Sequence, residues 1–186
     1  IIGGSKKKAK LIIPPSEVRP TSSIKREAIF SFLENYFYKN NNDLYKNKCF
    51  LDLFSGTGSL GLEGISRGLT FCYFFENNIN VLKFLEKNCK KISFHNNYLI
   101  TNHDSFKIIP IKIKYNVSVI FIDPPYKLQN FKIILENILS SKIVNNETII
   151  VIESDKKNII NYPSDFIMLN EKIYGRTKIS YLSLIN

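Results

Sequence analysis

Phe50-Leu51-Asp52-Leu53-Phe54-Ser55-Gly56-Thr57-Gly58-Ser59-Leu60-Gly61-Leu62-Glu63 is the stretch whose reading decides the fold. It opens as an apolar run of strand character. It breaks into a loop of small residues, Ser55 to Ser59, and resumes with helical character. A strand that ends in a glycine loop and feeds a helix gathers backbone N–H groups at a positive helix end. Glycines in such a loop permit positive φ and let a ligand approach the backbone. Gly56-Thr57-Gly58-Ser59-Leu60-Gly61 has G-x-G-x-x-G spacing, so dinucleotide binding is one option. Two later pieces add to it. Phe71-Cys72-Tyr73-Phe74-Phe75 reads as a second strand with Glu76 at its end. That is roughly twenty residues past the loop, where a carboxylate meets a ribose in such folds. Val117 to Ile122 is a further strand, and it runs straight into Asp123-Pro124-Pro125-Tyr126.

On both sides of this stretch, helix and strand patterns alternate. Thr21, Ser22 and Ser23 offer N-caps for a helix with Ile24, Ala28, Ile29, Phe32, Leu33, Tyr36 and Phe37 at helical spacing. A strand from about Lys48 to Phe54 precedes the glycine loop. The helix after the loop ends at Arg67, before Gly68. A helix from about Asn78 to Lys91 is expected to turn Ile79, Leu82, Leu85 and Cys89 inward. Tyr98 to Asn102 reads as a strand, Ser105 to Ile109 as a short helical turn, Phe131 to Leu139 as a helix and Thr148 to Ile152 as a strand. Phe166 to Tyr174 and Lys178 to Leu184 flank Gly175-Arg176-Thr177 as a β-hairpin. Alternation of this kind predicts an α/β fold with a parallel sheet and right-handed crossovers. The terminal hairpin must be antiparallel, which separates the chain from a plain dinucleotide-binding dehydrogenase. One domain is expected over residues 1–186. Residues 1–20 form a basic N-terminal extension, with Ile1-Ile2 paired to Leu11-Ile12-Ile13 as a small hairpin and Pro14, Pro15 and Pro20 holding the chain extended.

Composition bounds the function. The 186 residues suffice for one real core, and no apolar run is long enough to span a bilayer. The N-terminal residues lack the long apolar core of a signal peptide. The formal net charge of +10 favours a polyanionic partner, although Lys, Asn and Ile are all abundant, as an AT-rich genome alone would produce. Lys6, Lys7, Lys8 and Lys10 read either as a solvated loop or as a contact to an RNA backbone. With 22 Lys and 4 Arg, each arginine suggests a place where a point charge will not serve. Cys49, Cys72 and Cys89 form no C-x-x-C pair and read as buried thiols of a reducing, cytoplasmic compartment. With only His95 and His103 beside them, no zinc site is expected.

Ligands of open α/β sheets bind at the carboxyl ends of the strands. Four stations fall there: the loop Phe54 to Gly58, Glu76 with Asn77, Asp104-Ser105, and Asp123-Pro124-Pro125-Tyr126. The first three suit a ligand with a ribose and an adenine. Glu76 would accept from ribose hydroxyls; Asn102 and Asp104 are both candidates for the adenine amino group, and Asp104 equally suits an N-cap. Two prolines remove two N–H donors and stiffen the backbone, leaving carbonyls free to accept. A carboxylate and a carbonyl converging on one point suit a planar –NH₂ group, and Tyr126 offers an aromatic face for a base.

The glycine loop, the acidic end of the second strand and Asp123-Pro124-Pro125-Tyr126 resemble the motifs of S-adenosylmethionine-dependent amino-methyltransferases. Among these the chain resembles the bacterial 16S rRNA (guanine-N2)-methyltransferase family, RsmD-type, over nearly its whole length. The resemblance rests on Ile1-Ile2-Gly3-Gly4, Arg19-Pro20-Thr21, Arg26-Glu27 with Phe30, Asp52 to Glu63, Ser66-Arg67-Gly68, Asp123 to Tyr126 and Tyr174-Gly175. Ser5-Lys6-Lys7-Lys8-Ala9-Lys10 departs from the Arg and Gly that often follow Gly-Gly in that family. The resemblance implies the class I methyltransferase fold, a Rossmann-like seven-stranded sheet with an antiparallel last hairpin. It implies S-adenosyl-L-methionine held by Asp52, Phe54, Ser55, Gly56, Thr57, Gly58, Glu76, Asn77, Asp104 and Ser105. It implies a catalytic Asp123, Pro124, Pro125 and Tyr126. Lys6, Lys7, Lys8, Lys10, Arg19 and Arg26 would meet the RNA, with 16S rRNA or a small-subunit particle as partner, no metal, and a monomeric enzyme. The competing reading is a DNA methyltransferase acting on adenine N6 or cytosine N4, disfavoured by the lack of a sizeable target-recognition domain. A binding module with a vestigial cofactor pocket is disfavoured by the intact acidic and glycine stations.

Overall fold

Three strands have the composition of sheet interior. β1 (Lys48–Asp52), β4 (Asn116–Ile122) and β5 (Ile149–Asp155) are apolar on both faces, as a parallel sheet covered by helices on both sides requires. The computed structural model describes residues 1–15, 22–93, 97–125 and 130–185. Arg19, Pro20, Thr21, His95 and Tyr126 lie outside the described residues. Beside the three central strands stand β2 (Phe71–Glu76) and β3 (Tyr98–Asn102), and at the other edge β6 (Phe166–Tyr174) and β7 (Thr177–Leu184). The sheet order is β3-β2-β1-β4-β5-β7-β6. β7 runs antiparallel to both its neighbours, and the remaining pairs are parallel. This is the expected seven-stranded, mostly parallel sheet closed by an antiparallel hairpin.

Period-2 alternation splits the core in two. Phe50, Phe74, Val119, Phe121, Val151, Ile179 and Tyr181 face one side. That side is covered by α1 (Ser23–Lys39), α2 (Ser59–Ser66) and α3 (Ile79–Ile92). Leu51, Phe75, Ile120, Ile122, Ile150 and Ile152 face the other side, covered by α4 (Phe131–Ser140). Ser22 caps α1 by accepting from the Lys25 N–H, and Asn78 caps α3 by accepting from those of Asn80 and Val81. Cys49, Cys72 and Cys89 are buried free thiols, and burial pushes each up, Cys49 to about 12. Among the described residues no helix is long and apolar enough to cross a membrane.

Several local expectations are corrected. Ile79 is 64% exposed, because it opens α3 before the helix reaches the sheet. The buried stripe of α1 is Arg26, Ile29, Phe30, Leu33 and Phe37, so Ile24 points to solvent. Residues 105–109 form turns and no helix. The N-terminal segment does double back, but not as a ladder between Ile1-Ile2 and Leu11-Ile13. The Ile1 amino group donates to the Ala9 carbonyl (2.8 Å) and the Lys8 N–H to the Ile1 carbonyl (3.0 Å), closing a turn with no strand in residues 1–15.

Candidate functional site

The chain order reverses between β1 and β4, so their connections leave the sheet in opposite directions and open a cleft at the carboxyl ends. The glycine loop fills one side of it. The Ser55 hydroxyl donates to the carbonyls of Asp52 (2.6 Å) and Phe75 (3.1 Å), and its N–H to Phe75 (3.0 Å). The Gly58 N–H returns to the Ser55 carbonyl (2.7 Å). Gly58 has φ +83°, a left-handed conformation that side-chain-bearing residues rarely adopt. It precedes α2 without a capping side chain. Asp52, 3% exposed, serves instead: its carboxylate accepts from the Gly61 N–H in the first turn of α2 at 3.1 Å. Burial pushes the Asp52 carboxyl up to about 7, against the Gly61 hydrogen bond and with help from the charge of Glu76. Thr57 is buried, and its carbonyl accepts from Asn88 of α3 (3.0 Å). The side chains of Asp52 and Ser55 and the backbone carbonyl of Thr57 thus shape the loop from beneath, while Phe54 and Gly56 keep surface.

Glu76 ends β2 beside this loop. One of its oxygens accepts from the Gly56 N–H (2.9 Å) and the other from the Asn78 N–H (2.8 Å). The carboxylate is thereby fixed in orientation, and each oxygen has a second lone pair for a further donor. Asn77 is exposed next to it. Of the two adenine candidates, Asn102 is exposed at the end of β3, opposite Glu76. Asp104 is half-buried and accepts from the Phe106 N–H (3.1 Å), the local capping role that its sequence position also suited. Ser105 is buried, and its hydroxyl is bonded to the Leu53 carbonyl, tying this connection to the end of β1. Phe54 and Phe106 meet edge to face at 5.5 Å.

Across the cleft, β4 ends at Ile122, and Asp123 follows half-buried, Pro124 buried and Pro125 exposed. Burial raises the Asp123 carboxyl well above the usual range; the charges of Glu153 and Asp52 add to this and that of Lys25 opposes it. Lys25 and Glu153 were not singled out in the sequence. They form an ion pair whose charges both act on Asp123, and the Lys25 ammonium also donates to the Thr177 hydroxyl (3.4 Å). The signal was available in one respect: a Glu ending an apolar strand. It was lost because that strand was expected to stop at Ile152, whereas β5 continues to Asp155.

The N-terminal segment docks on α2. Glu63, with no exposed surface, accepts from the N–H groups of Ile2 (2.8 Å) and Gly3 (2.7 Å) and from Arg67 Nε (2.9 Å). The Ser66 hydroxyl donates to the Gly3 carbonyl (2.6 Å) and accepts from the Lys6 N–H (2.9 Å). A Cβ on Gly4 would lie 1.8 Å from the Ser66 carbonyl oxygen, so only glycine permits this approach. Further on, Lys91 holds the Lys10 carbonyl (2.8 Å), and Asn88 both donates to and accepts from Ile12. Arg26, expected at the RNA, is 9% exposed with its Nε 3.6 Å from Glu63, and Arg67 bonds Glu63 and Glu34. These two arginines organise the inside of the molecule. Lys7, Lys8 and Lys10 are exposed, and Lys6 is half-buried.

Comparison with known proteins agrees with this geometry. The family model described as Conserved hypothetical protein 95 matches residues 1–183. Ribosomal RNA small subunit methyltransferase D of Buchnera aphidicola is 31% identical over 176 residues, 93% of this chain and 86% of that protein. The solved structure of the yhhF protein from Escherichia coli has a TM-score of 0.80 at 24% identity, covering 99% of this chain and 96% of that one. An RNA methyltransferase from Salinibacter ruber, solved with S-adenosyl-L-homocysteine, shares the fold at a TM-score of 0.63 and 12% identity, covering 89% and 94%. The chain therefore belongs to the Conserved hypothetical protein 95 family, the RsmD-type methyltransferases, with their Rossmann-like fold.

Proposed function

We propose that this protein methylates the exocyclic N2 amine of a guanine in small-subunit rRNA, with S-adenosyl-L-methionine as methyl donor. Family membership supports rRNA methylation. The observation that carries the finer reading is Asp123-Pro124 at the end of β4, facing the glycine loop and Glu76 across the cleft. A carboxyl and a proline-flanked carbonyl suit an amine with two hydrogens.

The residues present fit the cofactor. Glu76, pre-oriented by two backbone donors, suits a ribose diol. The glycine loop, shaped from beneath, leaves its backbone to the ligand. When bound, the cofactor supplies a methyl group activated on a sulfonium. The protein's own part is placement. The guanine amine is a poor nucleophile because its lone pair is delocalised into the ring. Hydrogen bonds to Asp123 and to the Pro124 carbonyl hold it in line and help localise that pair. The methylated nitrogen is cationic and acidic, so it sheds a proton without a strong base. The target base must be unstacked to reach the cleft. The exposed lysines of the N-terminal segment would meet the RNA backbone.

Transfer of labelled methyl to naked 16S rRNA, small-subunit particles and duplex DNA, with nucleoside analysis, tests this. N2-methylguanosine from either RNA substrate is expected; label in DNA as methyladenine or methylcytosine overturns it.

A further inference from the structure

Glu153 lies outside the machinery described so far. It is 6% exposed, and while one of its oxygens pairs with Lys25, Oε2 is buried without a hydrogen-bond partner. An orphaned carboxylate oxygen is costly to bury, so a donor is to be expected. Strand register says where it would come from. β4 and β5 are parallel with Ile122 opposite Ile152, so Asp123 follows opposite Glu153. Ile122 and Ile152 both face α4, so the next residue on each strand faces the opposite side, toward α1. The two carboxyls thus stand on one face at neighbouring strand ends, roughly 4.8 Å apart in backbone. Lys25, in the first turn of α1, reaches in from above and is braced by Thr177 of β7.

We propose that Glu153 is a positioning residue of the methyl transfer: its Oε2 receives the O–H of a protonated Asp123, locking the other Asp123 oxygen toward the cleft as acceptor for the substrate amine. This rests on the methyl-transfer reading above. Lys25 fixes the Glu153 carboxylate, and Glu153 fixes Asp123. The charges facing Asp123 are Glu153 from β5, Lys25 from α1 and Asp52 from β1. From β7 this face receives Thr177 and the buried Tyr181 hydroxyl, whereas Lys178 is turned to Asn158 and Glu171. Arg26 is turned to Glu63, and Glu76 of β2 acts on Asp52. Among the described residues no three His, Cys, Asp or Glu side chains are arranged to hold a metal.

The test uses the full chain with 16S rRNA and small-subunit particles, comparing wild type, Glu153→Gln, Glu153→Asp and Lys25→Met. Misplacement of an acceptor predicts a kcat for Glu153→Gln lower by about ten- to a hundredfold, with the dissociation constant of S-adenosyl-L-methionine, read by calorimetry, within about twofold. Removing the Glu153 charge should move the alkaline limb of the kcat profile, where Asp123 loses its proton, to lower pH, and removing Lys25 should move it to higher pH. A merely structural role would not produce opposite displacements. Glu153→Asp should recover part of the lost kcat. Unchanged kcat and limbs in Glu153→Gln and Lys25→Met, or displacement in the same direction in both, overturns the proposal. If the wild type methylates nothing, the functional reading falls, and the pair is read from urea unfolding. Stability should then decline less between pH 5 and pH 8 in Glu153→Gln than in wild type, and an equal decline overturns the pairing. Should Glu153→Gln not fold, Lys25→Met and Glu153→Asp carry the same comparisons.

Discussion

Asp123 and Asp52 show how one residue type takes two duties on one sheet face. Asp123 stands at the mouth of the cleft beside the backbone of Pro124. Asp123→Ala should therefore abolish transfer while S-adenosyl-L-methionine still binds within about twofold of wild type, because the residues proposed to hold the cofactor stand on the opposite wall. Loss of cofactor binding in that variant would remove Asp123 from the role given to it. Asp52 is instead a buried brace for α2. Its carboxyl, pushed up to about 7, holds a proton in the folded state over a range where the unfolded chain has released it. The sign follows: folded Asp52 adds stability at low pH, which is lost as pH rises from the ordinary carboxylate range through about 7, at about 1.4 kcal/mol per pH unit. Asn keeps an acceptor for Gly61 and cannot ionise. Asp52→Asn should thus gain on wild type in urea unfolding as pH climbs from about 4 to about 7, and the gain should then level off. A difference that does not vary with pH would mean that Asp52 ionises normally.

At the scale of elements, α2 is the strut between the loop at its N-terminus and the N-terminal segment at its C-terminus. Glu63 has no exposed surface and serves two backbone donors and two arginines. Removing it leaves the buried Arg26 without its carboxylate and the Ile2 and Gly3 N–H groups without their acceptor, while Arg67 keeps Glu34, at a cost of about 3–5 kcal/mol. Glu63→Ala should lower the urea midpoint accordingly and should speed hydrogen exchange at the amides of Ile2 and Gly3. Slow exchange there in the variant would mean that Ser66 suffices to hold the segment. Much of this scale was legible in the sequence. Apolar runs and turn residues located all seven strands, and Gly175-Arg176 closed the hairpin where expected. What stayed hidden was contact across long separations. Nothing local in Arg26 or Arg67 says that they meet Glu63 and not an RNA phosphate. Asn88, which bridges Ile12 and Thr57, reads as one more polar residue on a helix. Glu153 was lost because alternation of buried residues gives no sign of where a strand under a charged residue stops.

For the whole molecule, the net charge of +10 becomes informative once Arg26 and Arg67 are assigned inward. Exposed Lys7, Lys8 and Lys10 are then the cations that the N-terminal segment presents. Replacing these three with Ala should weaken rRNA binding uniformly across sequences. It should also flatten the slope of log affinity against log salt by about 2, from about 0.7 per single-strand phosphate contact. An unaltered slope would place the RNA on another face. The sheet order has a consequence in time as well as in space. β7 lies between β5 and β6, and Thr177 braces the lysine that holds Glu153. A chain emerging from the ribosome carries its glycine loop, Glu76 and Asp123 long before β7 arrives, and until then β5 is an open, apolar edge. The Lys25–Glu153 pair gains its Thr177 brace only when β7 is made. A chain made only as far as β5 would bring together every motif of the cleft and still lack this brace, so the β6–β7 hairpin is a late support for chemistry laid down far earlier in the sequence.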